Sequence, residues 1–320
     1  MAAPLLCAGL ALVVGAFYLW RINPQNQVRL RQIHLKNTAL ARTAGAPRLL
    51  VCGDSSVAFG MDPQVLRETT GLSTVNLGYD AGCGALALLA VGARDARAGD
   101  VLVVSINPGL LSEQVEPVRE GRLLAMLYGD PSIALGGSPP LVPDNLLQRL
   151  LTRLSVCSPT QRRMVNDAGR VALRMPGYRY EVCEIDADGY FATKVTLPHN
   201  PAVAFPDFNA RWQPVLAAYT RRLQTRGVRV FYALPWAECW PLALPPLRAG
   251  TDTYLQKVAE VMPVLHEADL GLKTDPALFS DTAAHLSVEG ARQRSRALGE
   301  ALQVELARPA PLFIAPGTPP

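Results

Sequence analysis

The chain predicts an α/β protein: a parallel sheet with helices on its faces, a large insertion, and one N-terminal transmembrane helix ahead of the folded part. Three observations predict this. Short apolar runs alternate with amphipathic stretches from Leu49 to Ser105, the alternation resumes from Phe208 to Leu306, and Ala3 to Trp20 carry no charge. The first two patterns describe strand–helix–strand units, and the third describes a segment with no reason to stay in water.

As a helix, residues 3–20 would span roughly 27 Å, close to the thickness of a hydrocarbon core. Phe17, Tyr18 and Trp20 supply an aromatic belt and Arg21 closes the segment. The apolar run continues past Val14-Gly15-Ala16, so residues 1–20 read as an uncleaved signal-anchor. Residues 21–46 are polar with scattered Leu and Ile and read as a juxtamembrane helix that holds the domain off the bilayer.

The domain proper is expected over 47–307. Leu49–Cys52 reads as strand, Asp62–Thr70 as helix, Ser73–Leu77 as strand, Gly84–Arg97 as helix and Val101–Ser105 as strand. From about 110 to 206 the pattern breaks into Pro, Gly and two amphipathic stretches, Asn145–Leu154 and Gln161–Arg174, and this segment reads as the insertion. The pattern then resumes with a helix over Phe208–Arg226, a strand over Val228–Leu234, a helix over Thr251–Leu265, a short strand over Gly271–Thr274 and a helix over Ser287–Leu306, with Ser287 as N-cap. Residues 308–320 hold five prolines and read as a disordered tail.

A chain of 320 residues, 49% hydrophobic, buries a full core. Its net charge is +4, and no dense basic run with interleaved aromatics lies outside the juxtamembrane segment, so nucleic acid is not an expected partner. Of six cysteines, Cys7 lies in the apolar segment, Cys52 and Cys83 flank motif strands, and Cys157, Cys183 and Cys239 lack metal spacing. Both a Cys157–Cys183 disulfide and buried free thiols stay open. Neither a metal nor an organic cofactor is implied. The loop after the first strand has no glycine-rich phosphate cradle, which disfavours a nucleotide binder.

The chemistry-bearing residues stand at strand ends. Gly53-Asp54-Ser55-Ser56 follows the first strand, and Asp281 and His285 precede the last helix. A serine hydroxyl is a poor nucleophile at neutral pH; it needs an imidazole base, and the base needs a carboxylate to fix its tautomer. A parallel sheet delivers the carboxyl ends of its strands to one edge, so residues far apart in sequence meet there. Two more polar turns sit at equivalent places, Asn76-Leu77-Gly78-Tyr79-Asp80-Ala81-Gly82 and Ser105-Ile106-Asn107-Pro108-Gly109. Asp54 reads as a cap of the turn after strand one. His34, His199 and His266 lack such company and read as surface or packing residues, with His199 placed where the insertion returns toward the pocket.

These four blocks resemble those of the SGNH or GDSL hydrolase superfamily, over residues 48–108 and 208–306. The resemblance implies a three-layer α/β/α, flavodoxin-like sheet and a Ser-His-Asp acyl-enzyme mechanism. It makes Ser55 the nucleophile, His285 the base and Asp281 the acid, with an oxyanion hole formed by the amides of Ser55 and Gly82 and the side chain of Asn107. The second block is one residue longer than the family pattern, which leaves the amides of Gly78 and Ala81 as alternatives to Gly82. The third lacks the usual Gly-x-Asn-Asp.

The Asp-Thr-x-x-His-Leu form at Asp281–Leu286 is similar to that of anchored accessory proteins of alginate and peptidoglycan O-acetylation and teichoic acid D-alanylation. This implies a membrane-anchored esterase or O-acyltransferase whose substrates are an acyl donor, acetyl above all, and an envelope polysaccharide or small ester. A multispanning membrane acyltransferase is the implied protein partner. Trp212, Trp236 and Trp240 are candidates for stacking on sugar rings, with core packing as the other reading. The implied location is extracytoplasmic, in the periplasm or at the cell surface. Against it, Arg21, Arg29, Arg31, Lys36 and Arg42 follow the apolar segment and no Lys or Arg precedes it, which by the positive-inside rule points to the cytoplasm. The alternative function is a catalytically silent binding or assembly module.

Overall fold

The run Leu49-Leu50-Val51-Cys52 has no polar face because it becomes β1 (Arg48–Gly53), the middle of a sheet covered on both sides. The computed structural model describes residues 24–45, 47–143, 184–192, 197–202 and 204–308, with scattered positions between 7 and 15. Five parallel strands form its main sheet in the order β2 (Ser73–Gly78), β1, β3 (Val101–Ser105), β6 (Arg229–Ala233), β8 (Val264–Leu265). Order 2-1-3 at the start means that the chain reverses its direction of winding beside β1, which opens a crevice at the carboxyl edge there.

Alternation along β1 divides the core into two. Leu50 and Cys52 point to one face and pack with α1 (Pro24–Arg42), α4 (Gly84–Arg94), α7 (Trp212–Thr225) and α8 (Leu244–Ala259); Leu49 and Val51 point to the other and pack with α2 (Ser55–Gly60), α3 (Pro63–Thr70) and α9 (Val288–Leu306). The expected α/β/α layering is therefore present. Between β3 and α7 the chain forms α5 (Pro108–Ser112) and α6 (Arg119–Tyr128). Leu111, Leu124 and Ile133 belong to the larger core, so the first part of the segment read as an insertion is body. A hairpin of β4 (Glu184–Ile185) and β5 (Phe191–Ala192), and a pair of β7 (Ala237–Glu238) with β9 (Leu272–Lys273), complete the described strands.

Several expectations change. The helix expected over Thr251–Leu265 starts earlier, at Leu244, and ends at Ala259; Val264–Leu265 is the fifth sheet strand instead. The strand expected at Gly271–Thr274 forms, but pairs with β7 outside the main sheet. Ser55 does not merely precede a helix; it begins one. The helix expected over 21–46 is present as α1, yet it is no free stalk. Arg29 and Lys36 on it are buried, with Lys36 Nζ donating to the carbonyls of Asn76 (2.7 Å) and Gly189 (3.0 Å).

No described helix is long and apolar enough to cross a membrane. Most of residues 3–20 lie outside the described residues; of those described, Leu10, Val13 and Val14 are exposed. The stretches 145–154 and 161–174, the pair Cys157 and Cys183, and the tail from 309 also lie outside them. Cys52, Cys83 and Cys239 are free, buried thiols.

Candidate active site

Strand β1 runs directly into α2, and Asp54 makes that turn possible. Its Oδ1 accepts the Ser56 amide (2.8 Å) as the N-cap of α2, while its Oδ2 accepts the amide of Asn107 in the loop after β3. One buried carboxylate thus joins the first and third polar blocks. Burial pushes the Asp54 carboxyl up from its usual range, against the opposing pull of the Asn107 and Ser56 amides. The packing here tolerates no side chain at two glycines. A Cβ on Gly53 would strike the Ser105 carbonyl, and one on Gly78 would strike the backbone of Ala58 in α2. Asn76 closes the same corner, donating from Nδ2 to the Val57 and Met61 carbonyls (both 2.8 Å) and accepting the Gly78 amide on Oδ1 (2.9 Å).

Asp281 and His285 come from a tight loop ahead of α9. A bridge between Phe279 and Leu286 closes its base, the Ser280 amide donates to the His285 carbonyl (2.8 Å), and the His285 amide donates to Thr282 Oγ1 (3.0 Å). With the loop so pinned, the two side chains lie alongside each other: His285 Nδ1 is 2.7 Å from Asp281 Oδ1. The other ring nitrogen, Nε2, is 2.8 Å from Ser55 Oγ, across 230 residues of sequence. The imidazole stacks on Phe59 of α2, ring centroids 4.5 Å apart. Since the carboxylate can only accept, Nδ1 carries the proton and Nε2 accepts from the Ser55 hydroxyl, an assignment made from the hydrogen-bond network.

The other expected residues divide. The Gly78 amide is occupied by Asn76, so it is not an available donor. Gly82 sits in a 3₁₀ turn, Ala81–Cys83, exposed at the same edge. Asn107 caps α5: its Oδ1 accepts the Gly109 amide (2.9 Å), which leaves Nδ2 as the end that can be offered to a ligand. Trp212 and Trp236 are buried, with their indole N–H groups on the Glu113 carbonyl (3.1 Å) and the Glu267 carboxylate (2.7 Å), so they are packing residues; Trp240 alone of the three is exposed. His34 and His266 are on the surface.

His199 has more company than its sequence suggests. Its Nε2 bonds Glu238 and its Nδ1 lies 2.9 Å from the Leu197 carbonyl. Both partners offer acceptor oxygens, an arrangement that favours a ring donating from both nitrogens. Burial works to lower its pKa, but the Leu197 carbonyl and the carboxylates of Glu238 and Asp281 hold it above the usual imidazole range. Glu238, Phe59 and the tying role of Asp54 carry no signal in the sequence, since each matters only through a partner distant along the chain.

Among the described residues, no group of three or more His, Cys, Asp and Glu gathers that could hold a metal ion. Comparison with protein-family models, with curated proteins and with solved structures finds no match.

Proposed function

We propose that the protein is a membrane-anchored, SGNH-like serine esterase or O-acyltransferase acting on acyl esters, acetyl foremost, of a cell-envelope polysaccharide. The observation that carries this reading is the continuous chain from Ser55 Oγ to His285 Nε2 (2.8 Å) and from His285 Nδ1 to Asp281 (2.7 Å). In this reading, Ser55 Oγ attacks the ester carbonyl while its proton passes to His285 Nε2. The carbonyl oxygen becomes an oxyanion facing the Ser55 amide, which heads α2, with the Gly82 amide and Asn107 Nδ2 as further donors. Collapse breaks the bond to the leaving alkoxide, which takes the proton from His285 and leaves an acyl-serine. Water or a sugar hydroxyl then attacks that ester, giving its proton to His285; the bond from Ser55 Oγ to the acyl carbon breaks, Ser55 recovers the proton from His285, and the acyl group leaves on the acceptor. Water as acceptor makes the protein an esterase; a polysaccharide hydroxyl makes it a transferase. A tether and a multispanning membrane acyltransferase as neighbour would raise the local concentration of domain and donor without tight affinity.

The test uses the full chain in detergent, because α1 is part of the packed body. A fluorophosphonate should label the parent protein, and p-nitrophenyl acetate hydrolysis should fall to the uncatalysed rate in Ser55→Ala. Absence of both labelling and hydrolysis in the folded parent would sink this reading and leave the silent binding or assembly module in its place.

A further inference from the structure

Helix α1 crosses the body from one edge of the sheet to the other, and its contacts give the direction. Near its start, Arg29 pairs with Asp80 in the loop at the carboxyl end of β2 (2.6 Å). Just past its end, the Thr43 carbonyl accepts from Arg97, in the turn that leads into the amino end of β3 (3.1 Å). The chain therefore enters the domain at the carboxyl edge, where Ser55, Asp281 and His285 meet. From Arg29 back to Pro24 is about 8 Å along a helix axis. Only Arg21, Ile22 and Asn23 then separate Pro24 from the uncharged run that ends at Trp20, a reach of about 14 Å at most.

Most of the exposed apolar side chains fall on the same edge. Outside the N-terminal run, the large hydrophobic residues exposed among those described are Leu197 (39%), Trp240 (55%), Leu242 (95%) and Val304 (58%). Val304 lies near the far end of α9. The other three flank the site: the Leu197 amide donates to the Ser280 carbonyl beside Asp281 (2.8 Å), and the Glu238 amide, two residues before Trp240, donates to the Ala283 carbonyl between Asp281 and His285 (2.8 Å). Trp240-Pro241-Leu242 is a tight turn holding an indole and a fully displayed leucine, side chains that partition into the headgroup region of a bilayer.

We infer that the carboxyl edge of the sheet faces a lipid bilayer, with Trp240 and Leu242 seated in its interface and the Ser55 site opening toward the headgroups. Residues 3–20 supply the bilayer, so the inference rests on the membrane anchorage in the reading above, and not on its chemistry. Its consequence is a substrate class: an ester or acyl donor presented at the membrane surface reaches Ser55 directly, and one free in solution has to enter between domain and lipid.

The test is depth-resolved quenching on the full chain reconstituted in phosphatidylcholine vesicles. The chain has four tryptophans. Trp20→Phe removes the one in the anchor, and Trp212 and Trp236 are buried, so Trp240 reports. Lipid carrying a nitroxide near its carbonyl region should quench the Trp20→Phe protein, aqueous iodide should not, and the added Trp240→Phe should remove the lipid quenching. Trp240 is exposed, so that substitution leaves the fold intact. Quenching of Trp240 by iodide and not by lipid overturns the inference while the anchor stands. A full chain that fails to float with vesicles overturns both. Fluorophosphonate labelling, read separately, decides the chemistry.

Discussion

Two carboxylate–imidazole pairs stand on one edge of this sheet, Asp281–His285 and Glu238–His199, and they are built for opposite tasks. In the first, one ring nitrogen is held by the carboxylate and the other meets a serine hydroxyl, so the ring can exchange a proton. In the second, both nitrogens face acceptors, so the ring fastens the 197–202 segment to β7 and has no nitrogen left to meet a hydroxyl. A histidine beside a carboxylate is thus not by itself a base; the atom at its far nitrogen decides.

The sharpest way to break that comparison is to delete each imidazole. His285→Ala should lower p-nitrophenyl acetate turnover by about 10⁴-fold, with a small effect on thermal stability because Asp281 keeps the Ser280 hydroxyl (3.2 Å). His199→Ala should do the reverse, costing about 2–4 kcal/mol of stability by leaving the nearly buried Glu238 carboxylate uncompensated, with turnover within about tenfold of the parent. Comparable activity losses in both variants would contradict the division of roles.

Asp54 belongs with the structural member of the comparison although it adjoins Ser55. Asp54→Asn turns one acceptor oxygen into a donor facing an amide N–H, either that of Ser56 or that of Asn107. The expected cost is about 1–3 kcal/mol in urea unfolding and about 10–100-fold in turnover, since the loops bearing Ser55 and Asn107 lose their tie. An Asp54→Asn protein with parental kinetics would remove Asp54 from the positioning apparatus.

The smallest effect concerns α1. Burial lowers the Lys36 ammonium to about 7, against the upward pull of Asp186, while an exposed lysine in the unfolded chain titrates near about 10.4. Between those values the unfolded chain binds more protons than the folded one. Stability attributable to Lys36 therefore rises with pH from about 7 to about 10 and is level outside that window, giving about 2 kcal/mol between pH 7 and 9. Lys36→Met should flatten this slope in thermal melts, even though it lowers stability overall by stripping the Asn76 and Gly189 carbonyls of their donor. An unchanged slope would assign the pH dependence to other groups.

Much of the architecture was legible along the chain. β1, β2 and β3 lie where their short apolar runs lie, and α9 starts after the Ser287 cap. The misreadings have a common cause. Val264–Leu265 follows directly on the amphipathic pattern of α8, and only pairing with Tyr232 and Ala233 makes it a strand. Residues 21–46 look like a solvated stalk because Arg29 and Lys36 are charged, and only Asp80 and two carbonyls from distant segments let them be buried.

By itself, then, the amino-acid sequence determined the α/β alternation, the uncharged run at residues 3–20, and the placing of Ser55 after a strand and of Asp281 and His285 before a helix. These are local matters of side-chain periodicity and turn chemistry, settled within a few residues. The tertiary structure alone decided that His285 meets Ser55, that His199 is spent on Glu238, that Asp54 ties two loops, and that α1 enters at the edge carrying the site. Each of these depends on a distance between groups far apart in the chain, and such distances are set by how the whole core packs.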